Sequence, residues 1–118
     1  AAFQDKHVAP RQLVGQPAGA GLAVGHARAV REASDLFSFQ KGEILVCDAV
    51  DPNMTFMVPL AAAIVERRGG MLIHGAIIAR EYGLPCVTGI KDADTVIDTG
   101  QHLTVDGYLG IVTIRRER

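Results

Sequence analysis

The chain has 118 residues, 48% of them hydrophobic, which suffices for one domain with a core of its own. Twelve Lys and Arg against 13 Asp and Glu leave a formal net charge of −1, and this argues against binding to nucleic acid or to an anionic membrane surface. The apolar run over residues 58–65 contains Pro59, and no apolar run in the chain approaches the roughly 20 residues that span a bilayer, so no membrane role is expected.

Residues 1–11 carry charge where a secretory signal needs an apolar stretch, and the expected compartment is the cytoplasm. Cys47 and Cys86 sit in strand-like apolar contexts, which suits buried reduced thiols rather than a disulfide framework or a zinc site. With no Trp, two Tyr and four Phe, the core must be built from Val, Ile, Leu and Ala, and aromatic stacking on bases is not expected.

In chain order, residues 1–12 are polar and patternless and residues 115–118 form a charged tail, so the ordered domain is expected over residues 13–114. Gly15, Pro17, Gly19, Gly21 and Gly25 suggest a turn-rich opening before a strand over residues 26–30. These glycines have neither dinucleotide-binding nor P-loop spacing. Residues 43–47 read as a buried strand. Asp51-Pro52-Asn53 then turns the chain and caps a short helix over residues 54–56, with Asp51 as cap rather than general base. A second buried strand over residues 61–65 is closed by Glu66-Arg67-Arg68 and the Gly69-Gly70 pair, the arginines being read as a solvated strand end.

Residues 75–82 then have helical periodicity, with Ala76, Ile77, Ile78 and Ala79 apolar and Arg80 and Glu81 free to reach solvent. Gly83 followed by Leu84-Pro85 is a helix stop: a left-handed residue, then a proline that cannot continue the helix. Residues 85–88 form a strand and residues 93–97 a short helix or turn. Residues 103–105 and 109–114 flank Asp106-Gly107 as a β-hairpin.

The chemistry concentrates in residues 69–80. His74 stands immediately before the predicted helix and after a glycine pair that lets backbone approach a ligand. Unpaired N–H groups and the positive end of the dipole at a helix N-terminus disfavour imidazolium and favour a bound phosphate. His7, His26 and His102 show no metal-like spacing with each other or with acids, and no metal site is expected.

The segment Gly69-Gly70-Met71-Leu72-Ile73-His74-Gly75-Ala76-Ile77-Ile78-Ala79-Arg80 resembles the phosphohistidine motif of the phosphoenolpyruvate-utilising enzymes. That family includes phosphoenolpyruvate synthase, pyruvate phosphate dikinase, phosphotransferase-system enzyme I and rifampicin phosphotransferase. The resemblance extends outward to Asp51-Pro52, Thr55, Tyr82-Gly83-Leu84-Pro85 and Val105-Asp106-Gly107. Leu72 and Ile73 depart from the Thr or Ser of many members, and Gly75 from the more common Ala or Thr.

What the resemblance implies is an α/β fold, the three-layer swivelling β/β/α domain, with His74 accepting a phosphoryl group on Nε2 and delivering it by movement of the whole domain. It implies supporting roles for Thr55, Gly70, Gly75, Ala76 and Arg80 around the phosphate; Thr55 reads equally as a helix-capping residue, and Arg80 equally as a solvated charge. The domain itself is expected to bind no cofactor. ATP and Mg2+ are implied in a partner ATP-grasp nucleotide-binding domain, or phosphoenolpyruvate in a barrel domain, with an acceptor-substrate domain besides, in the same chain or a partner subunit. Two other readings are a non-catalytic docking or regulatory copy of the fold and a free-standing small-molecule-binding domain.

Overall fold

The structure, a computed structural model, describes residues 11–69 and 74–115. Its strands are β1 (Arg11–Val14), β2 (Gln16–Gly19), β3 (Leu22–Val30), β4 (Ile44–Cys47), β5 (Ala63–Glu66), β6 (Cys86–Thr88), β7 (His102–Asp106) and β8 (Ile111–Arg115). Two α-helices, α1 (His74–Tyr82) and α2 (Ala93–Val96), and two 3-10 segments, Ala33–Ser38 and Pro52–Leu60, complete the elements. The strands hydrogen-bond in the order β1-β8-β7-β3-β4-β5-β6-β2.

The long strand β3 sets the architecture. Its residues 22–26 pair antiparallel with β7, whereas residues 27–30 pair parallel with β4. Because β3 changes partners along its length, β7, β8 and β1 form a layer that packs over the parallel set β4, β5 and β6. Between these layers Leu103, Val105, Val112 and Ile114 meet Ile44, Val46, Val65 and Val87. On the other face of the parallel set, Leu45, Cys47, Ile64 and Cys86 are covered by Ala76, Ile78 and Ala79 of α1 and by Met57 and Val58 of the second 3-10 segment. The fold is therefore α/β in three layers, β/β/α. β4 and β5 lie between two layers, which is why each reads as a continuous apolar run rather than an alternating one.

Helix α1 stops as the sequence requires. Gly83 has φ +68°, its N–H donates to the Arg80 carbonyl at 3.4 Å, and the Leu84 N–H reaches back to the Ala79 carbonyl at 2.8 Å. Those two bonds satisfy carbonyls that the helix end would leave open. Both cysteines are free and buried, and burial pushes both thiols up, Cys86 to about 12.

Four expectations need correction. The predicted turn-rich opening is strand: β1 pairs with β8 and β2 with β6, and the glycines mark close approaches, since a Cβ on Gly15 would lie 2.3 Å from the Thr88 carbonyl oxygen. The helix expected over residues 54–56 is one part of a longer 3-10 segment, begun by Pro52 in its first turn. The strand expected over residues 61–65 runs Ala63–Glu66, so Glu66 ends the strand inside the core instead of closing it at the surface.

The hairpin loop is the fourth. It has four residues, 107–110, with Leu109 exposed within it. The Asp106 carboxylate accepts the N–H groups of Tyr108 and Leu109 at 2.9 and 3.0 Å, an Asx-type closure that replaces a two-residue turn. Gly107 has no space for a side chain, because a Cβ would fall 1.8 Å from the Gly19 carbonyl oxygen.

Candidate functional site

Strands β3, β4, β5 and β6 run parallel, and ligand sites in such sheets form beyond the carboxyl ends of the strands. At that edge β5 leads, through residues 67–73, to α1, and α1 returns the chain to β6. His74 is the first residue of α1 and is exposed. The N–H groups of an α-helix's first turn have no partner within the helix, so its opening residues present donors beside the imidazole.

The loop after β4 supplies the other wall. Asp51 caps the second 3-10 segment, its carboxylate accepting the Asn53 N–H at 2.8 Å. Thr55, part-exposed, donates its hydroxyl proton to the Pro52 carbonyl at 2.8 Å, which leaves oxygen lone pairs to accept from elsewhere. Residues 30–33 and 47–49, with Leu36, Asp51, Asn53 and Met54, border a cleft of about 330 Å³ at this edge; His74 does not line it.

Two arginines expected as a solvated strand end have a partner. Arg67 and Arg68 both donate to the Asp48 carboxylate, Arg68 at 2.8 Å, tying the end of β5 to the end of β4. Burial raises the Asp48 carboxyl, but these two guanidinium groups outweigh it and hold it below its ordinary value. Glu66 is placed differently again. Fully buried, it accepts the Val50 N–H on Oε2 at 2.6 Å, while Oε1 has no hydrogen-bond partner among the described residues. A Cβ on Gly75 would sit 2.4 to 2.5 Å from the three atoms of this carboxyl group, so the first turn of α1 rests directly on Glu66.

The structure thus joins His74 and Gly75, the end of β5 and the loop after β4. Ala76 is fully buried and packs in the apolar layer, which leaves its backbone N–H as its only polar contribution. Arg80, two turns further along α1, donates to the Ala18 carbonyl of β2 at 3.4 Å. Gly70, together with Leu72 and Ile73, lies outside the described residues. Sequence reasoning missed Glu66 and Asp48. The signal for Glu66 was an acid directly after a continuous apolar run, followed by glycine at the second position of the helix.

Exposed His74 at the start of the helix that crosses between two parallel strands, in a three-layer α/β domain, defines the swivelling class. A solved N-terminal domain of the nitrogen Enzyme 1 shares this fold, with TM-score 0.59 and 28% identity, covering 71% of this chain and 36% of that one. The chain belongs to the family of PEP-utilising enzyme mobile domains, whose model matches residues 39–110. It is 37% identical over 114 residues to an uncharacterized phosphotransferase, YvkC, of Bacillus subtilis, covering 97% of this chain and 14% of that protein. It is 40% identical over 100 residues to phosphoenolpyruvate synthase of Pyrococcus furiosus, covering 85% and 12%. With rifampicin phosphotransferase of Bacillus cereus it shares 34% over 112 residues, covering 95% and 13%. The chain therefore spans about one seventh or less of the length of these relatives. No helix among the described residues is long and apolar enough to cross a membrane.

Proposed function

We propose that this domain carries a phosphoryl group on His74 between two active sites of a larger phosphotransferase. The observation that carries the reading is the position of His74, exposed at the N-terminus of α1 on the carboxyl edge of the parallel strands, within a family of PEP-utilising mobile domains. A ring nitrogen attacks the transferred phosphorus; an N–P bond forms as the donor's P–O bond breaks, and the electron pair leaves with the donor. At the second site an acceptor oxygen attacks the same phosphorus, the N–P bond breaks, and the nitrogen recovers its pair. Covalent catalysis of this kind divides one difficult transfer into two easier ones.

Backbone N–H groups of the first turn of α1, those of Gly75 and Ala76 included, stabilise the phosphoryl oxygens as donors at a helix N-terminus do. Gly70, Thr55 by its hydroxyl and Arg80 by its charge complete the proposed phosphate surroundings. The donor is ATP with Mg2+ on an ATP-grasp domain, or phosphoenolpyruvate on a barrel domain, the acceptor lies on another domain, and the assembly works in the cytoplasm.

The test is the intact mass of the parent enzyme, or of this chain mixed with its nucleotide-binding partner, after incubation with ATP and Mg2+, with peptides mapped under alkaline conditions. A phosphoryl adduct on His74 that disappears in His74→Ala is the expected result. No adduct in the presence of an active donor domain overturns the reading and leaves a docking copy of the fold.

A further inference from the structure

Glu66 has no part in the transfer just described, yet it is a buried ionisable group pressed against the first turn of α1. The carboxyl group fills the space a side chain at position 75 would take, directly beneath the residue that follows His74. Oε2 is engaged by the Val50 N–H, and Oε1 is unpartnered among the described residues. A fully buried carboxylate with one hydrogen bond is a costlier species than a neutral carboxyl in the same place, because burial penalises charge more than an unpaired polar group.

We propose that Glu66 is a positioning residue for His74: its carboxyl group seats the first turn of α1, and phosphorylation of His74 draws a proton onto Oε1, converting the ionised fraction of that carboxyl to the neutral form. This rests on the reading of His74 as the phosphoryl carrier. The phosphoryl group brings negative charge to the end of α1 that rests on Glu66, and a negative charge on the buried Glu66 carboxyl beside it is then further disfavoured. Solvent supplies the proton and takes it back when the phosphoryl group departs. Linkage makes the effect reciprocal, so a protonated Glu66 favours phosphorylated His74 by the same factor.

The groups facing Glu66 are consistent with this assignment. Burial first, and then the charge of Asp48, push the carboxyl up against the opposing Val50 hydrogen bond, to about 7. From β4 and β6 it is faced by the thiols of Cys47 and Cys86, both pushed up by burial and therefore neutral. From α1 it is faced by Gly75, with His74 adjacent in sequence and Arg80 reaching the Cys86 side of the layer.

The experiment follows the Glu66 side-chain carboxyl carbon of the full chain by NMR between about pH 5.5 and pH 9.5, before and after phosphorylation with phosphoramidate. That reagent gives up its phosphoryl group to histidine and releases ammonia; intact mass reports the adduct. The expected result is titration near neutrality in the unmodified chain, moving up by about one pH unit, a tenfold gain in proton affinity, in the phosphorylated chain. Glu66→Gln keeps the shape without the titration, and the pH dependence of His74 phosphorylation seen in the wild type should flatten in it. An unchanged midpoint on phosphorylation, or a carboxyl already ionised at the lowest pH, overturns the proposal. Failure of His74 to accept any phosphoryl group, from phosphoramidate or from the donor domain, shows in the mass spectrum instead, and it removes the carrier reading and this inference together.

Discussion

At position 75, glycine is required by a neighbour and not by backbone angles. A methyl group there would fall within 2.5 Å of both Glu66 carboxyl oxygens, so either α1 must lift or Glu66 must leave its bond to Val50. Gly75→Ala is therefore expected to destabilise the domain by about 1–3 kcal/mol, the usual cost of overpacking a core. Glu66→Ala in the same chain should recover part of that loss. Urea denaturation of the two single variants and the double variant measures the coupling, and strictly additive losses would show that the contact is not the constraint.

Glu66 also sets a pH dependence. Its folded-state value, about 7, lies above the ordinary 4.5, so the folded state holds the proton more tightly. Its contribution is fully present below about pH 4.5 and is lost as the pH rises through about 7, a difference on the order of 3 kcal/mol. In Glu66→Gln that slope should vanish from the wild-type curve. The residue scale is also where the sequence was most and least informative. The start of α1 at His74 was legible from the glycine pair before it and the amphipathic pattern after it. Glu66 was not, because its role depends on how closely α1 and the loop after β4 approach it.

At the scale of elements, legibility followed the range of the interactions. The buried strands β4 and β5 and the stop of α1 were readable because apolar runs and a Gly-Leu-Pro ending are local signals. Strand β2, Gln-Pro-Ala-Gly, has neither β-branched residues nor alternation, and it is a strand only because β6, far along the chain, offers an edge to pair with. Pro17 is tolerated beside an irregularity in that pairing, on a strand at the end of the sheet. The end of α1 gives the clean test of a local signal. Gly83 has a left-handed φ and open space where a Cβ would go, so Gly83→Ala carries the backbone cost alone. The expected loss is about 1 kcal/mol by thermal or urea unfolding, and less for Gly83→Asn, which tolerates this conformation better. A loss of several kcal/mol for either variant would mean that the turn is constrained by contacts as well as by its angles.

At the scale of the whole molecule, the two ends of the parallel strands carry different groups. Glu66, Asp48, Arg67, Arg68 and His74 gather at or just beyond the carboxyl ends. His26 and His102 lie at the other end: they are register partners of β3 and β7 just before β3 turns to pair with the start of β4, and their rings meet edge to face at 5.3 Å. A four-residue strand separates the two edges by roughly 13 Å, too far for His26 or His102 to share a phosphoryl group with the proposed carrier His74. His74 is exposed at a helix terminus, so His74→Ala should change unfolding free energy by no more than about 0.5 kcal/mol while abolishing phosphoryl transfer. His26→Ala and His102→Ala should behave oppositely: the edge-on contact is lost, with a stability cost of about 1 kcal/mol, and transfer persists at the wild-type level. Transfer assays on the parent enzyme, paired with unfolding curves of this domain, separate the two patterns. Equal loss of transfer in all three variants would defeat the assignment of a single nucleophile, because no arrangement of this sheet lets both of its ends touch one phosphorus.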